Sequence, residues 1–220
     1  MPHAAALRVE PLAPEWVPEV TRVLARAYVT NPLHVAVFGP GALDRNELFF
    51  REGLAVMKGP KVVAFDDSRP HGSRVVGFIH WVRSPRCQPG VLQKLRLVPV
   101  MIGGLGLTPA LAVTRWLSTW ARHEPPGAHL HLGPIAVDPS SQGRGIGWLL
   151  MELYRAELER AAVAGYLETD RAENTGFYGR FGFEIVREVA VLGVRNYLMS
   201  REASPGAGAP GSRSANPPFR

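Results

Sequence analysis

The chain has 220 residues, of which 46% are hydrophobic and 20% are charged, enough to bury the core of one large domain without covalent cross-links. Cys87 is the single cysteine, which excludes an internal disulfide and a cysteine-rich zinc site. The net charge is +6, from 25 basic and 19 acidic residues, but the basic residues are scattered, so we expect no nucleic-acid partner. No secretory leader is recognisable, so the expected location is the cytoplasm.

The N-terminal part of the sequence predicts a strand, two helices and a β-hairpin. A strand is expected at residues 7–10, followed by an amphipathic helix over residues 16–27, where apolar residues recur at helical spacing. Asp44 is expected to cap a second helix. Residues 61–65 and 74–82 are rich in β-formers and are separated by turn residues. They predict an antiparallel hairpin.

The middle of the chain contains a long uncharged segment. Residues 97–114 carry no charge over 18 positions, the lower limit for a membrane-spanning helix, but prolines and glycines interrupt it, so we expect no membrane association. We predict that residues 91–123 form a loop followed by a helix, which cover the acceptor side of a pocket. Residues 203–220 are rich in proline and glycine and predict a disordered tail. Residues 1–202 are therefore expected to form a single domain.

A predicted strand at residues 129–137 leads into a glycine-rich loop that opens a helix. The first turn of a helix has free N–H groups and the positive end of the dipole, so it can bind a phosphate, and glycines let the backbone approach the oxygens closely. The Gly-Lys-Ser/Thr of a P-loop is missing. The G-x-G-x-G spacing also departs from the dinucleotide fingerprint, although Glu168 and Asp170 lie near the distance of its acidic residue. Dinucleotide binding therefore stays as an alternative to binding the pyrophosphate of coenzyme A.

Two motifs in this region resemble those of a known family. The loop Gln142-Gly143-Arg144-Gly145-Ile146-Gly147 is similar to the Q/R-x-x-G-x-G/A loop of the GNAT superfamily of N-acetyltransferases. Downstream, Asn174 and Tyr178 belong to a segment that resembles the family's second motif, N-x-x-x-Y-x-x-x-G-F. The resemblance implies an α/β fold with a mixed, mostly antiparallel twisted sheet, flanked by helices and splayed at its central strands to hold CoA.

The resemblance also implies a function. The expected reaction transfers an acetyl group from acetyl-CoA to a primary amine, by direct attack in a ternary complex. A non-catalytic module that binds or senses acyl-CoA is the alternative. The expected acceptor is a small molecule, and the apolar segment 91–123 favours a hydrophobic or aromatic amine, although that segment could also be core or a dimer contact. Both a monomer and a homodimer are compatible with the sequence.

The cofactor contacts follow from the resemblance. The backbone of residues Ile135, Ala136 and Val137 would pair with the pantetheine arm like an added strand, and Pro134 marks a bulge that would open the slot. Asn174 would hydrogen-bond the same arm, or cap a helix. Main-chain N–H groups after the strand would hold the pyrophosphate. These pyrophosphate-binding residues are Gln142, Gly143, Arg144, Gly145, Ile146, Gly147 and Trp148.

The resemblance assigns the proton donor, and the residues suggest a base. Tyr178, one helical turn beyond Asn174, would protonate the departing thiolate, and a backbone N–H, that of Val137, would stabilise the oxyanion. His131 is the favoured general base, because a histidine titrates near neutral pH, and His129 lies on the same strand face. Glu168 is a further candidate, with a salt bridge to Arg171 or Arg180 as the alternative.

Three other side chains complete the list of candidates. His80 and Trp81, on the hairpin, could line the acceptor side. Cys87 lies far from the motifs in the sequence and is not expected to act as a nucleophile. The histidines and acidic residues show no metal-ligand spacing, so no metal is predicted.

Overall fold

A seven-stranded mixed sheet forms the centre of the fold in the computed structural model, which describes residues 7–87 and 91–204. The strands are β1 (Leu7–Pro11), β2 (Lys61–Asp66), β3 (Val75–Arg83), β4 (His129–Val137), β5 (Ala164–Thr169), β6 (Glu184–Val191) and β7 (Val194–Arg201). Their order across the sheet is β1-β2-β3-β4-β5-β7-β6. Neighbouring strands are antiparallel except β4 and β5, which are parallel. The predicted fold class is therefore confirmed.

Seven α-helices of the described residues cover the sheet. They are α1 (Val17–Tyr28), α2 (Pro32–Phe38), α3 (Leu43–Val56), α4 (Val91–Leu105), α5 (Leu107–His123), α6 (Ile146–Ala161) and α7 (Ala172–Gly179). Helices α1 and α3 pack apolar residues such as Val20 and Phe50 on one face of the sheet. Leu150 and Tyr154 of α6 pack on the other face. Because both faces are covered, residues 75–82 of β3 are all buried. Among the described residues, no helix is long and apolar enough to cross a membrane.

Most of the predicted elements are confirmed, and three differ. Residue Ala42 is the N-cap of α3, whereas Asp44 makes no capping hydrogen bond and lies in the first turn, where its charge favours the helix dipole. Residues 91–105 form helix α4 rather than a loop, and Pro99 lies inside it. The burial of apolar side chains such as Met101 outweighs the local preference of proline and glycine. Helix α2, which starts at Pro32, was not expected from the sequence. The predicted tail lies outside the described residues, except for residues 203 and 204.

The sheet opens between β4 and β5. The two strands pair only at residues 129–131 and 164–166, and β5 then continues along β7 up to Thr169. On the other side, Ile79 of β3 faces Ile135, but Trp81 already faces Leu132. Strand β4 therefore carries one extra residue around Gly133, which confirms the predicted bulge. The bulge and the short pairing together leave a slot along the second half of β4.

Candidate active site

A large cavity occupies the slot between β4 and β5. Its volume is about 910 Å³, and β4, β5, α7 and helices α1 to α5 contribute to its wall. Ligand pockets commonly have volumes of about 300–1,000 Å³, so this cavity can hold a substantial small molecule.

The second half of β4 presents backbone groups to this cavity. Hydrogen bonding alternates along an antiparallel strand, and the Asp138 N–H donates to the Val76 carbonyl of β3. Ala136, two residues earlier, therefore directs its N–H and C=O to β3, while those of Ile135 and Val137 point into the slot. The Tyr28 hydroxyl donates to the Ile135 carbonyl across 3.1 Å. Of the three predicted pantetheine contacts, Ala136 thus contributes to the cavity wall but offers no backbone group to a ligand.

The bulge that opens the slot depends on a glycine. A Cβ atom added to Gly133 would lie 2.2 Å from His80 Nδ1, a distance that no side chain tolerates. His80 is buried, and its Nε2 lies 2.7 Å from the Lys58 carbonyl oxygen. Burial lowers the pKa of His80 to about 4, so the ring is neutral at physiological pH. His80 lines the cavity as expected, whereas Trp81 packs in the core beside Tyr154 on the opposite face.

The glycine-rich loop ends in a helix N-terminus with free N–H groups. The first bond of α6 runs from the Leu149 N–H to the Gly145 carbonyl. The N–H groups of the three preceding residues (146–148) have no hydrogen-bond partner in residues 7–87 and 91–204. Gly143 and Gly145 have φ angles of 75° and 80°, which favour glycine, and no atom lies within 4 Å of a Cβ added at either. The loop therefore exposes main-chain donors to an open face that could accept phosphate oxygens.

The arginines around this loop are bound to aspartates. Arg144 Nη1 donates to Asp66 Oδ2 across 2.9 Å, and Arg26 Nε donates to Asp138 Oδ2 across 3.1 Å. A hydrogen bond from Ser68, followed by that from Arg144, lowers the pKa of Asp66. Arg144 is therefore neither a free solvated side chain nor a cation that points freely at a ligand. Its ion pair fixes the loop to the end of β2.

Helix α7 brings Asn174 and Tyr178 to the cavity. Arg171, and not Asn174, is the N-cap of this helix, so the capping alternative for Asn174 is wrong. The Asn174 amide lies 3.5 Å from Thr169 Oγ1. The Tyr178 side chain is buried against the cavity, and its hydroxyl has no hydrogen-bond partner among the residues that the structure describes. Burial, and secondarily the charge of Asp170, raise the pKa of Tyr178, which keeps the hydroxyl protonated.

The two predicted bases form a single pair. His131 on β4 and Glu168 on β5 are neighbours across the parallel strands, and His131 Nε2 lies 2.7 Å from Glu168 Oε2. His131 Nδ1 is buried and has no hydrogen-bond partner within the described part of the chain. Burial by itself lowers the pKa of His131, but the Glu168 charge and hydrogen bond outweigh it and raise the pKa. Glu168 thus binds His131 rather than the arginines considered from the sequence.

His129 lies outside this pair and belongs to another group of polar residues. Its Nε2 is 3.3 Å from a carboxylate oxygen of Glu124 and 3.8 Å from Cys87 Sγ. Burial, with a hydrogen bond from the thiol to Glu124, raises the pKa of Cys87, so this thiol is a poor nucleophile. The expectation of no metal site rested on sequence spacing, but the fold brings together four potential ligands that are distant in sequence. We call them the Cys-Glu-His-His cluster: Cys87, Glu124, His129 and His131.

An aromatic group lines the other end of the cavity. His34 of α2 stacks on Phe50 and packs edge-on against Trp116 of α5, and Phe49 stacks on Trp116 as well. Burial lowers the pKa of His34 to about 4, so the group is uncharged. Segment 91–123 was expected to cover the acceptor side of the pocket, and its helices α4 and α5 contribute to the cavity wall.

Several cavity residues were missed from the sequence. Tyr28 and His34 were not singled out as site residues, and Asp170 was considered only for the alternative of dinucleotide binding. Asp170 accepts hydrogen bonds from the Leu33 N–H and the Asn31 amide, which join the start of α2 to the end of β5. A polar residue on the buried face of a predicted helix was the available signal for Tyr28.

Comparison with known proteins agrees with this architecture. A family model for the acetyltransferase (GNAT) domain matches residues 104–185, which include β4, the glycine-rich loop and α7. A Corynebacterium glutamicum structure described as histone acetyltransferase HPA2 and related acetyltransferase is 19% identical, covers 92% of this chain and 99% of its own, and has a TM-score of 0.67.

Two further structures share the fold. Arylalkylamine N-acetyltransferase 2 from Aedes aegypti is 14% identical over 89% of this chain and 98% of its own, with a TM-score of 0.59. A GNAT family acetyltransferase from Brucella melitensis, solved in complex with acetyl-CoA, is 17% identical over 92% of this chain and 91% of its own, with a TM-score of 0.50. The family model therefore matches residues 104–185, and solved structures of GNAT acetyltransferases share the fold of this chain over about nine-tenths of its length.

Proposed function

We propose that this protein transfers the acetyl group of acetyl-CoA to a primary amine, by direct attack of the amine in a ternary complex within one domain formed by residues 1–202. The observation that carries the proposal is the proximity of three features. The slot between β4 and β5 presents strand backbone, and the Tyr178 hydroxyl and the His131–Glu168 pair lie in the wall of the same cavity. The cavity wall also reaches Gln142, at the start of the loop that leads to the free N–H groups of α6.

The slot and the loop fit the two ends of coenzyme A. The slot-facing N–H and C=O of Ile135 and the C=O of Val137 would pair with the amides of pantetheine, as an added strand does, and the Asn174 amide would bond the same arm. The pyrophosphate would lie against the main chain of residues 142–148, with the positive end of the α6 dipole behind it. Arg144 would contribute only those guanidinium N–H groups that Asp66 does not engage.

Acetyl-CoA supplies the acetyl group as a thioester, and the protein moves the protons. Because Nε2 of His131 faces the Glu168 carboxylate, Nδ1 carries the lone pair that would accept the proton of the attacking amine. The Val137 N–H would hydrogen-bond the acyl oxygen as it gains negative charge. The Tyr178 hydroxyl would donate its proton to the sulfur as the carbon–sulfur bond breaks.

The aromatic end of the cavity favours an apolar acceptor. His34, Phe49, Phe50 and Trp116 form a continuous aromatic wall, and both burial and its low pKa keep His34 uncharged. A wall of this kind holds a flat hydrophobic group and gives no counter-charge to a highly polar amine. We therefore propose that the acceptor is a small aromatic or hydrophobic amine.

The proposal is tested by following CoA release with a thiol reagent. Purified protein and acetyl-CoA are mixed with matched amines, for example an arylethylamine and an aliphatic diamine, and acetyl-CoA binding is measured separately by calorimetry. We expect release that depends on the amine and is faster with the aromatic one. Tight binding without amine-dependent release would instead identify a sensing module, and the absence of binding would refute the cofactor site.

A further inference from the structure

The Cys-Glu-His-His cluster brings together four potential metal ligands. Cys87 follows β3, Glu124 follows α5, and the two histidines lie on β4, yet one donor atom of each residue lies within 4.8 Å of those of the other three. His129 is buried, and the other three are partly buried. Cys87 and His131 also line the large cavity, which gives an ion a path from solvent.

Two distances within the cluster are close to those of a tetrahedral metal site. Zinc binds nitrogen and oxygen ligands at about 2.0–2.2 Å and thiolate at about 2.3 Å, so tetrahedral geometry places nitrogen about 3.4 Å from oxygen and about 3.6 Å from sulfur. His129 Nε2 lies 3.3 Å from Glu124 Oε1 and 3.8 Å from Cys87 Sγ. The longest separation in the cluster, up to 4.8 Å, needs to shorten by about 1.2–1.4 Å.

Hydrogen bonds outside the cluster orient both imidazoles for metal binding. His129 Nδ1 donates to the Gly127 carbonyl across 2.8 Å, and Nε2 faces Glu124 and Cys87. His131 Nε2 bonds Glu168, which leaves the lone pair on the buried and unpartnered Nδ1. Metal-binding histidines usually hold their second nitrogen against a carbonyl or a carboxylate in this way.

We propose that the Cys-Glu-His-His cluster binds a single Zn²⁺ ion and that the bound ion inhibits acyl transfer. One thiolate, two imidazoles and one carboxylate form a donor set that suits zinc and disfavours calcium and magnesium, which prefer oxygen ligands. Binding would release the proton of the Cys87 thiol. The inhibition rests on the proposed function, because an ion on His131 Nδ1 occupies the atom that would accept the amine proton.

Zinc binding is measured directly, without reference to activity. The metal-free protein competes with a chromogenic chelator for Zn²⁺, and Co²⁺ serves as a spectroscopic probe of tetrahedral thiolate coordination. We expect one zinc per chain, a thiolate-to-cobalt absorption band, and an affinity lowered by about 100-fold or more in Cys87→Ser. The matched control is His71→Ala, which removes an exposed histidine outside the cluster and should leave the affinity unchanged.

The outcomes separate the metal site from the enzyme activity. Equal zinc affinity in the wild type and in Cys87→Ser, both shown to be folded by circular dichroism, overturns the site. Zinc should inhibit CoA release by the wild type but not by Cys87→Ser. If zinc binds the wild type and leaves its turnover unchanged, the proposed inhibition by zinc is refuted. If the wild type binds zinc, shows the thiolate-to-cobalt band with Co²⁺ and transfers no acetyl group, the metal site is supported and only the proposed function is refuted.

Discussion

Replacement of Tyr178 by phenylalanine removes the proposed proton donor and little else. The hydroxyl has no hydrogen-bond partner among the described residues, and it belongs to a side chain that lines the cavity. The substitution therefore breaks no hydrogen bond in that part of the structure, and we expect the free energy of unfolding to change by less than about 0.5 kcal/mol. The ring, which packs against Phe177, is retained.

The expected loss of activity follows from the environment of the hydroxyl. A positioned acid contributes roughly 10²- to 10⁴-fold to a rate. Because burial and the Asp170 charge raise the pKa of Tyr178, it is a weak acid, and we expect the low end of that range. Turnover in Tyr178→Phe should fall about 100-fold, which corresponds to about 2.7 kcal/mol in the activation barrier, while the Kd for acetyl-CoA stays within about threefold.

Tyr154→Phe is the matched control, with the opposite expected pattern. The Tyr154 hydroxyl donates to the Leu130 carbonyl across 2.6 Å in the core. Its loss leaves a buried carbonyl less satisfied and should cost about 1–2 kcal/mol of stability, with turnover unchanged. CoA release and chemical denaturation of both variants give the comparison. Turnover of Tyr178→Phe within threefold of the wild type would refute the assignment of Tyr178 as the acid.

Three further predictions concern the loop, the slot and the β2 end. Gly145→Ala should weaken acetyl-CoA binding in calorimetry, because the φ of 80° costs alanine about 1–2 kcal/mol; unchanged binding would contradict the role of the loop. In Gly133→Ala the new Cβ would lie 2.2 Å from His80. This variant should lower the free energy of unfolding by about 1–3 kcal/mol and weaken acetyl-CoA binding. A melting temperature equal to that of the wild type would disprove the close packing of Gly133 against His80. A hydrogen bond from Ser68 makes the largest contribution to the lowered pKa of Asp66. The ionised carboxylate therefore stabilises the fold above the unfolded-state pKa, and this stabilisation is lost as the pH falls through the lower folded-state pKa. Chemical denaturation should show a smaller loss of stability below pH 4 in Asp66→Asn than in the wild type.

Short-range patterns in the sequence were sufficient to predict most of the elements and the cofactor motif. Alternation and helical spacing gave β1, α1, the β2–β3 hairpin, β4 and α6, because each pattern repeats within a few residues. The loop before α6 was also recognisable, since the N–H groups and glycines that would bind a phosphate are consecutive in the chain. The family resemblance placed Tyr178 in the cavity wall, where the structure has it.

Local patterns failed where long-range packing determines the structure. Residues 91–105 form α4 despite Pro99, because Met101 and Leu105 are buried in one cluster with apolar residues of α2 and α5. Local propensity does not include the free energy gained from that burial. Likewise nothing in the sequence indicated the ion pair between Arg144 and Asp66, which are 78 residues apart.

Pairings between distant residues determined the chemistry of the site. His131 and Glu168, 37 residues apart, were separate candidates for one role and became a hydrogen-bonded pair only because β4 and β5 are parallel neighbours. Cys87 lies 42 residues from His129 in the sequence, and the path of the chain after β3 places its thiol beside the His129 ring. The sequence by itself determined most of the elements and the position of the consecutive main-chain N–H groups that would bind a pyrophosphate, because these properties depend on nearby residues. Only the tertiary structure decided which side chains share a proton or can share a metal, because contacts across a sheet carry no signal in local spacing.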